Sequence, residues 1–517
     1  MAQKSSVLQA TFHSLLTRWQ LNKLYHLITD NSYQSVPWVT LLFCVLSAVL
    51  PSNKLFFVVA TLYFLALVYI TRSIYKALFF AFIPFGMLNI GQIYITTVIP
   101  FNQLKGTTYY EGRQLYFRFS PFFVLGITSA VLLMLEIIRR KGQHIFTIPH
   151  LFVLGSVLFS LVSVFHTEQQ PLFSLATVLG TVGSICWILL AQLLLKDSRF
   201  LEQTKILKTF LLVLILMTSL QTGVALAQYV KRSTLNLRIE QSTIIPTFGQ
   251  GADEDATQFR PIGLQTHAND LANDLLIFLF TGILLLEWLR SRKQHFPWWF
   301  ELFFITEAVV VIVLTQSRTA YLALLASSLF FFFAQRQRSL DLIKELEKHL
   351  RPFVFVLVIA ALLFVPLVSR RLLYSLNSFG TGGGFTTRQQ LEKEAILLVQ
   401  KNILWGVGPG MFIPAAFKEN PQGIMRYFPE AVHNGYLLFI SEHGLLSSIC
   451  ILLFFYFLLK EYEKYPNTML RTVMHTGLIS ILVMMLLHPF QNFITLFVLI
   501  SWLLVYIQQG AKYEPKK

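Results

Sequence analysis

The chain has 517 residues, of which 55% are hydrophobic and 13% charged, and its mean hydropathy is +0.59. A soluble chain carries about 25% charged residues, so this composition excludes a soluble globular protein and indicates an integral membrane protein. The net charge of +16 does not indicate nucleic-acid binding, because the lysines and arginines fall in the gaps between apolar blocks. The three cysteines lie inside apolar blocks, which argues against a disulfide or metal framework.

The chain begins with a polar segment, residues 1–35, whose apolar residues recur at helical spacing. This pattern predicts an amphipathic helix on the membrane surface rather than a cleavable signal peptide. The rest of the chain contains about fourteen apolar blocks on the order of 20 residues each, the length that crosses a bilayer. We therefore predict an all-α, polytopic membrane protein of about 12–14 transmembrane helices with a large, partly helical extracytoplasmic loop. The blocks are 36–50, 55–70, 77–99, 119–138, 148–165, 172–195, 206–230, 271–289, 298–315, 320–334, 353–368, 435–459, 473–487 and 490–507.

The distribution of basic residues orients these spans. Most of the 42 lysines and arginines fall in segments that are cytoplasmic if the N-terminus is cytoplasmic, and short turns on the other side, such as 166–171 and 488–492, hold none. The positive-inside rule then predicts that both termini are cytoplasmic. The predicted regions are 1–35 (cytoplasmic or interfacial), 36–230 (N-terminal transmembrane bundle), 231–270 (extracytoplasmic loop), 271–368 (transmembrane helices with a Ser-Arg-Thr turn), 369–433 (large extracytoplasmic loop), 434–508 (C-terminal transmembrane helices) and 509–517 (cytoplasmic tail).

Two arginines and one histidine fall on the same, outer side of this topology. Arg260 lies in the first long loop, Arg318 lies in a short turn between two spans, and His433 ends the second long loop. Long ordered loops are usually functional. Guanidinium groups bind phosphate oxygens in a bidentate fork, and a histidine at a helix N-terminus is kept neutral and can accept a proton. These three residues therefore suit a reaction on a phosphate-bearing lipid substrate.

Each of these residues also has a structural interpretation. Arg318 alone is equally explained as an interfacial arginine whose charge reaches the headgroups. His433 alone is explained as an interfacial histidine that bonds its neighbours. Arg260 has possible structural partners in three nearby acids, which are Asp253, Glu254 and Asp255.

The second long loop is predicted to contain a helix from Thr387 to Asn402. Thr387 with Gln390 forms a capping-box pattern, and an apolar stripe follows at helical spacing, comprising Leu391, Ala395, Leu398 and Val399. The segment Gly406-Val407-Gly408-Pro409-Gly410 follows, where the glycines permit either a simple turn or the close approach of a ligand. No strand precedes it and no helix plainly follows it, which excludes a dinucleotide-binding loop.

A polar cluster lies at the mouth of the span that begins near residue 271. Helical spacing places Asp270, Asn273 and Asp274 on one face. They bind sugar hydroxyls or belong to the start of the helix, and capping is the expected role of Asn269 or Asp270.

Four segments, in this order and on this side of the membrane, resemble motifs of the O-antigen ligase and polymerase family. The resemblance covers roughly residues 260–446, and the N-terminal half is similar only in being polytopic. The segments are Arg260-Pro261-Ile262-Gly263 with His267-Ala268-Asn269; Ser317-Arg318-Thr319-Ala320; Arg388 with Gly406-Val407-Gly408-Pro409-Gly410-Met411-Phe412; and His433-Asn434-Gly435-Tyr436-Leu437 with Glu442-His443-Gly444-Leu445.

This resemblance implies a GT-C-like membrane glycosyltransferase in the bacterial plasma membrane, with its active site extracytoplasmic and with no metal and no cofactor. Its implied partners are a glycan on undecaprenyl pyrophosphate, a glycan or glycolipid acceptor and membrane lipids, and no nucleic acid. Arg260 and Arg318 would bind the pyrophosphate and stabilise its departure, and His433 would deprotonate the acceptor hydroxyl, which attacks with inversion. The implied substrate-binding residues are Arg388, Gly408, Gly410, Asn434 and Asn269.

The sequence also bears on alternatives to this function. The family contains both polymerases and ligases, and the number of predicted spans slightly favours a polymerase. A flippase of lipid-linked oligosaccharide would carry polar residues deep in several spans, whereas these spans are mainly apolar. A peptidoglycan-type membrane glycosyltransferase would use an external carboxylate as its base, for which Asp253, Glu254 and Asp255 are the candidates.

Overall fold

The structure is a computed structural model that describes residues 33–50, 52–88, 93–95, 117–140, 147–166, 171–198, 200–237, 259–265, 267–294, 296–336, 384–426, 430–465, 468–488 and 494–511. The predicted N-terminal amphipathic helix, the span 353–368 and the cytoplasmic tail lie outside these residues, as do Asp253, Glu254 and Asp255.

The described chain is a bundle of helices. The first seven helices are α1 (Ser35–Val49), α2 (Asn53–Thr71), α3 (Ile74–Met87), α4 (Pro121–Arg139), α5 (Ile148–Phe165), α6 (Pro171–Asp197) and α7 (Phe200–Lys231). The others are α8 (Ala268–Ser291), α9 (Trp298–Leu314), α10 (Arg318–Ala334), α11 (Gly384–Lys401), α12 (Phe412–Glu419), α13 (Gly435–Glu463), α14 (Thr468–Leu487) and α15 (Ile494–Ala511), with a 3₁₀ turn at Ile424–Arg426.

Eight of the described helices are long and apolar enough to cross a membrane, and four shorter helices are also apolar. The predicted polytopic, all-α fold class is confirmed. Most predicted spans agree with a helix to within a few residues, including the blocks 36–50 and 55–70, which correspond to α1 and α2.

The predicted span 77–99 is wrong in its second half. Helix α3 ends at Met87, and residues Ile93–Ile95 form a short strand, β1, which pairs antiparallel with β2 (Phe117–Phe119). The physical reason is visible in the sequence, because the second half of the block is rich in β-branched residues, which favour an extended backbone.

Helix α8 lies at the centre of the bundle. Of its most apolar stretch, 94% is buried, and α7, α9, α10, α14 and α15 pack around it. Its buried residues lie on every face and include Trp288 and Phe278, both with 0% exposure. A helix that is apolar all round is stable in a protein core or in lipid, and it is the contact with five neighbouring helices that makes α8 the centre of the bundle.

Ion pairs collect at one end of the bundle. Lys76 at the start of α3 pairs with Glu202 at the start of α7, and Arg290 at the end of α8 pairs with Glu287 and with Glu301 at the start of α9. At the end of α4, Glu136 accepts hydrogen bonds from Arg139 at 2.8 Å and from Arg140 at 3.2 Å. These helix ends are the ones that the distribution of charge predicted to be cytoplasmic.

Two glycines allow α4 and α6 to pack at close range. A Cβ atom built on Gly183 would lie 2.9 Å from a main-chain carbon of Gly126, which real Cβ atoms do not tolerate. Small residues at such crossings let two membrane helices approach closely, which increases their van der Waals contact.

We predict that Gly183→Ala destabilises the protein by about 1–3 kcal/mol, because the backbone of α4 has to move to admit the methyl group. The measurement is the Tm of detergent-purified protein. Gly223→Ala is the matched control, because a Cβ atom at Gly223 in α7 meets nothing within 4 Å. Equal Tm values for the two variants would contradict the close packing of α4 and α6.

Candidate functional site

Several helix ends meet at the other end of the bundle, which we call the site end. Helices α8, α10 and α13 begin there, and α9 and α14 end there. The Tyr436 hydroxyl near the start of α13 donates to the Leu482 carbonyl near the end of α14 at 3.0 Å. The Nε2 atom of His488, one residue beyond α14, lies 3.7 Å from an Asp270 carboxylate oxygen in the first turn of α8. Three helix N-termini therefore meet in the same region, and the positive ends of their dipoles suit an anion.

Arg260 connects two of these helix ends. Its Nε donates to the Thr315 carbonyl at the end of α9 at 2.8 Å, and its Nη2 donates to Asn269 Oδ1 in the first turn of α8 at 2.7 Å. The guanidinium is half-buried. Its orientation is thus set by two acceptors on two different helices, neither of them a carboxylate.

Arg318 is the first residue of α10 and lies three residues beyond the Thr315 carbonyl that Arg260 contacts. The intervening turn is buried, with Thr315 and Ser317 at 0% exposure and Gln316 in the left-handed conformation at φ 52°. The Ser317 hydroxyl accepts from Ala320 N at 3.5 Å and caps the helix. The break between the two predicted spans is therefore a tight turn, and it places Arg260 and Arg318 in the same part of the site end.

The N-cap of α8 is His267, whose Nδ1 accepts from Asn269 N at 3.0 Å. The expectation that Asn269 or Asp270 caps this helix is wrong, because the Asn269 side chain is used to accept from Arg260. Burial, with smaller effects from nearby cations led by Arg260, lowers the pKa of His267 from 6.5 to about 3. The ring is therefore neutral at neutral pH, as its role as a hydrogen-bond acceptor requires.

His433 lies directly before Asn434, the N-cap of α13. Burial lowers the pKa of His433 from 6.5 to about 3, with smaller contributions from Arg388 and His488. Its Nδ1 atom is buried and has no hydrogen-bond partner in the part of the chain that the structure describes. The neutral form agrees with the expectation from the sequence, although burial contributes more than the helix N-terminus that suggested it.

Arg388 on α11 and His488 after α14 complete this group of residues. Both lie close enough to His267 and His433 to lower the pKa of each. The rings of His433 and His488 are 6.5 Å apart between centroids and nearly perpendicular. Sequence reasoning overlooked His488, although its position in a short turn at the outer end of a predicted span was a usable signal.

The glycine-rich segment packs against a break in α13. Gly444 has φ 78° inside that helix, so the Ser441 and Glu442 carbonyls are not used by helical partners and instead accept from Val407 N at 2.9 Å and Gly408 N at 3.0 Å. A Cβ atom on Gly444 would collide with the main chain of residues 404 and 405. The loop main chain thereby satisfies backbone groups that a helix break leaves unpaired.

Three further residues that the sequence predicted for substrate binding, Gly408, Gly410 and Asn434, make contacts within the protein. Gly408 and Gly410 have φ values of 104° and 75°, and a Cβ atom on Gly410 would lie 3.0 Å from Phe173 and Thr177 of α6. Asn434 Oδ1 accepts from two amides in the first turn of α13, both at 3.1 Å. These three residues have structural partners within the protein, and their role in substrate binding stays a prediction.

Two details of the second loop differ from the sequence prediction. Helix α11 begins at Gly384, so Thr387 lies inside it rather than at its N-cap, and helix α12 follows the glycine segment directly. The predicted apolar stripe is confirmed for Leu391, Ala395 and Leu398, which are fully buried against Phe412 of α12 and its neighbours in a separate small core.

The segment 302–452 matches the family model described as O-antigen ligase. Over this segment the chain is similar to the O-antigen ligase family. The predicted resemblance is thereby confirmed, and the match supports a multi-pass membrane glycosyltransferase of the O-antigen ligase and polymerase type, a family that implies a lipid-linked glycan and an acceptor as substrates. No curated protein matches the chain.

The matched segment contains only part of the site end. Arg318, Arg388 and His433 lie within 302–452, whereas Arg260, His267 and His488 lie outside it. The contact of Arg260 with Thr315 joins the segment to the chain before it. The contact of Asp270 with His488 joins the chain before the segment to the chain after it.

We predict that acid weakens the fold partly through His267. The pKa of His267 is near 6.5 in the unfolded chain and about 3 in the folded protein. Between these two pH values the unfolded chain binds more protons than the folded protein. The free energy of unfolding therefore falls as the pH falls from 6.5 toward 3. His267→Asn keeps a good N-cap without a titrating ring. Its Tm should therefore fall less on acidification than that of the wild type, and identical pH dependence would contradict the assignment.

Proposed function

We propose that the protein transfers a glycan from undecaprenyl pyrophosphate to an acceptor hydroxyl at the outer face of the bacterial plasma membrane. It does so as an inverting, metal-independent glycosyltransferase. The observation that carries the proposal is the clustering of Arg260, Arg388 and the neutral His433 where three helices begin. This combination offers positive charge for a diphosphate and a proton acceptor for a hydroxyl.

Arg260 and Arg318 bind the diphosphate of the donor and stabilise its departure. Arg260 is held in place by two neutral acceptors, at 2.8 and 2.7 Å, so its charge is not neutralised by these two contacts and does not reorganise during the reaction. Preorganised positive charge at a leaving group contributes roughly 3–4 kcal/mol per donor in comparable sites. The Arg388 guanidinium, with the Asn269 and Asn434 amides and the turn at Gly408 and Gly410, lines the substrate region.

His433 is the general base. The acceptor hydroxyl gives its proton to the buried Nδ1, which has no hydrogen-bond partner among the described residues, and the oxygen attacks the anomeric carbon as the bond between that carbon and the phosphate oxygen breaks. The bonding electrons go to the diphosphate, which leaves as undecaprenyl pyrophosphate, and the configuration at the anomeric carbon inverts. General-base assistance of this kind contributes about 10²–10⁴-fold to the rate.

Donor binding strengthens this base. In the free enzyme, burial, with smaller contributions from Arg388 and His488, holds the pKa of His433 at about 3, which makes it a weak proton acceptor. A bound diphosphate brings negative charge next to the ring and favours its protonated form. The pKa of His433 therefore rises once the donor is in place, and its basicity becomes adequate only in the complex that reacts.

The position of the ion pairs, read with the positive-inside rule, supports an outer-face location. The site end is opposite the end that carries the ion pairs of Lys76, Glu136 and Arg290. Basic residues at span ends mark the cytoplasmic side. The termini are then cytoplasmic, and the lipid-linked donor is used after it has crossed the membrane.

A purified-enzyme assay with a lipid-linked repeat unit tests this function and separates polymerase from ligase. Chain growth with the repeat unit alone, without any other acceptor, means a polymerase, and dependence on a second glycolipid means a ligase. We expect release of undecaprenyl pyrophosphate in either case. Absence of glycan transfer with any lipid-linked donor and acceptor would contradict the proposed reaction.

We predict that His433→Ala lowers kcat by about 10²–10⁴-fold while the protein remains inserted and folded, because only the proton acceptor is removed. The matched control is a variant in which Asp253, Glu254 and Asp255 are all changed to alanine, which should keep transfer activity. The reverse pattern, with His433→Ala active and the acidic variant inactive, would favour a carboxylate base of the peptidoglycan-glycosyltransferase kind.

We also predict different pH profiles for the free and donor-bound enzyme. The acid limb of kcat/KM reports the free enzyme and the limb of kcat reports the complex. Because the pKa of His433 is about 3 in the free enzyme, kcat/KM should stay constant as the pH falls toward that value. In contrast, kcat should decline at a higher pH, nearer 6.5, the ordinary pKa of a histidine. Both donor phosphates are diesters and do not titrate there. Superimposed acid limbs would show that the donor leaves the pKa of the base unchanged.

A further inference from the structure

Two buried glutamines on α7 face the turn that carries Arg260. Gln221 and Gln228 are seven residues apart, which is two helical turns, so they lie on the same face of the helix. Both have 0% exposure. Burying a polar side chain is costly unless it is hydrogen-bonded.

Both glutamines bond to the main chain of the turn. Gln228 Oε1 accepts from Ile262 N at 3.0 Å and from Gly263 N at 2.8 Å, and its Nε2 donates to the Gly263 carbonyl at 2.9 Å. Gln221 Oε1 accepts from Leu264 N at 2.7 Å. Three of these hydrogen bonds satisfy the successive amides of residues 262–264 and the fourth satisfies the Gly263 carbonyl, so these groups need no partner from secondary structure.

The local sequence fits this arrangement. Gly263 has φ 58°, a conformation that favours glycine, and a Cβ atom there would collide with Gln221 Oε1. Pro261 has a fixed φ and no amide hydrogen, so the residue between Arg260 and the glutamine-bonded amides has no N–H that needs an acceptor. The turn is therefore shaped to be held from the α7 side.

Arg260 is held from the opposite side. Its guanidinium contacts Thr315 and Asn269, and its main chain leads within two residues to the Gln228 contacts. The main chain next to Arg260 is thus bonded to α7, and its guanidinium is bonded to the start of α8 and to the end of α9. Loss of the main-chain anchor would shift the guanidinium without removing it.

We propose that Gln228, assisted by Gln221, is a positioning residue that fixes Arg260 for the diphosphate of the donor. Neither glutamine touches the substrate. The inference rests on the proposed function, in which Arg260 stabilises the leaving diphosphate. It adds α7, which lies outside the matched segment 302–452, to the parts of the chain that determine the rate.

The test compares Gln228→Met and Gln221→Met with Gln192→Met. Gln192 on α6 is also buried, at 2% exposure, but its partner is His150 at 3.2 Å, at the start of α5 and away from the Arg260 turn. We expect Gln228→Met to lower kcat by about 10–100-fold, the effect of misplacing a reacting group by about 1 Å. Gln221→Met should have a smaller effect because it loses one bond rather than three. Gln192→Met should leave kcat, calculated per folded protein, within about twofold of the wild-type value.

A double-mutant cycle separates positioning from general destabilisation. In the Arg260→Lys background, Gln228→Met should lower kcat by much less than it does alone, because its effect acts through the arginine fork. Multiplication of the two single effects, or a KM increase with unchanged kcat, would overturn the positioning role. Wild-type kcat in Gln228→Met would also overturn it.

The outcome remains distinguishable from a failure of the proposed function. Wild-type activity in Arg260→Lys and Arg260→Ala would remove Arg260 from the reaction and thus contradict the proposed function itself. Strong impairment of those variants together with a fully active Gln228→Met would retain the function and refute only the glutamine anchor.

Discussion

The hydrogen bond from Arg260 Nε to the Thr315 carbonyl joins parts of the chain that are 55 residues apart. It holds the loop before α8 against the buried turn between α9 and α10, and so brings a loop arginine beside the turn that starts with Thr315 and ends at Arg318. Because the acceptor is a neutral carbonyl, it fixes the direction of the guanidinium without cancelling its charge. The remaining contacts of the site end depend on this connection, since α8 begins only a few residues after Arg260 and carries Asn269 and Asp270 to their partners.

Placing several cationic groups together is unfavourable in the absence of an anion, and the protein limits that cost through its histidines. Burial together with Arg260 and Arg388 keeps His267 and His433 neutral, so the cluster does not add imidazolium charges to those of the guanidinium groups. His488 lies 3.7 Å from an Asp270 carboxylate oxygen, the acid that offsets its charge when it is protonated. The site is therefore poised for an anion while remaining compatible with a folded state that lacks one.

The sequence could predict the membrane class, most helices and the shared side of Arg260, Arg318 and His433, because span length and the placement of basic residues are read one segment at a time. It could not predict features that depend on two distant segments. The His267 cap required knowing that Asn269 would bond Arg260, and the roles of Gln228 and His488 required knowing which helix ends meet. The strand at Ile93–Ile95 was missed for a different reason, since hydropathy alone does not separate an apolar strand from the end of a helix.

The break at Gly444 has a consequence for the motion of the second loop. The carbonyls released by the break are bonded to the amides of Val407 and Gly408, and Leu445 N donates back to the Ile403 carbonyl at 2.8 Å. Moving this part of the loop away from α13 would leave several backbone groups without partners, which is unfavourable. The segment 403–408 is thus held against α13, and any opening of the second loop has to occur outside it.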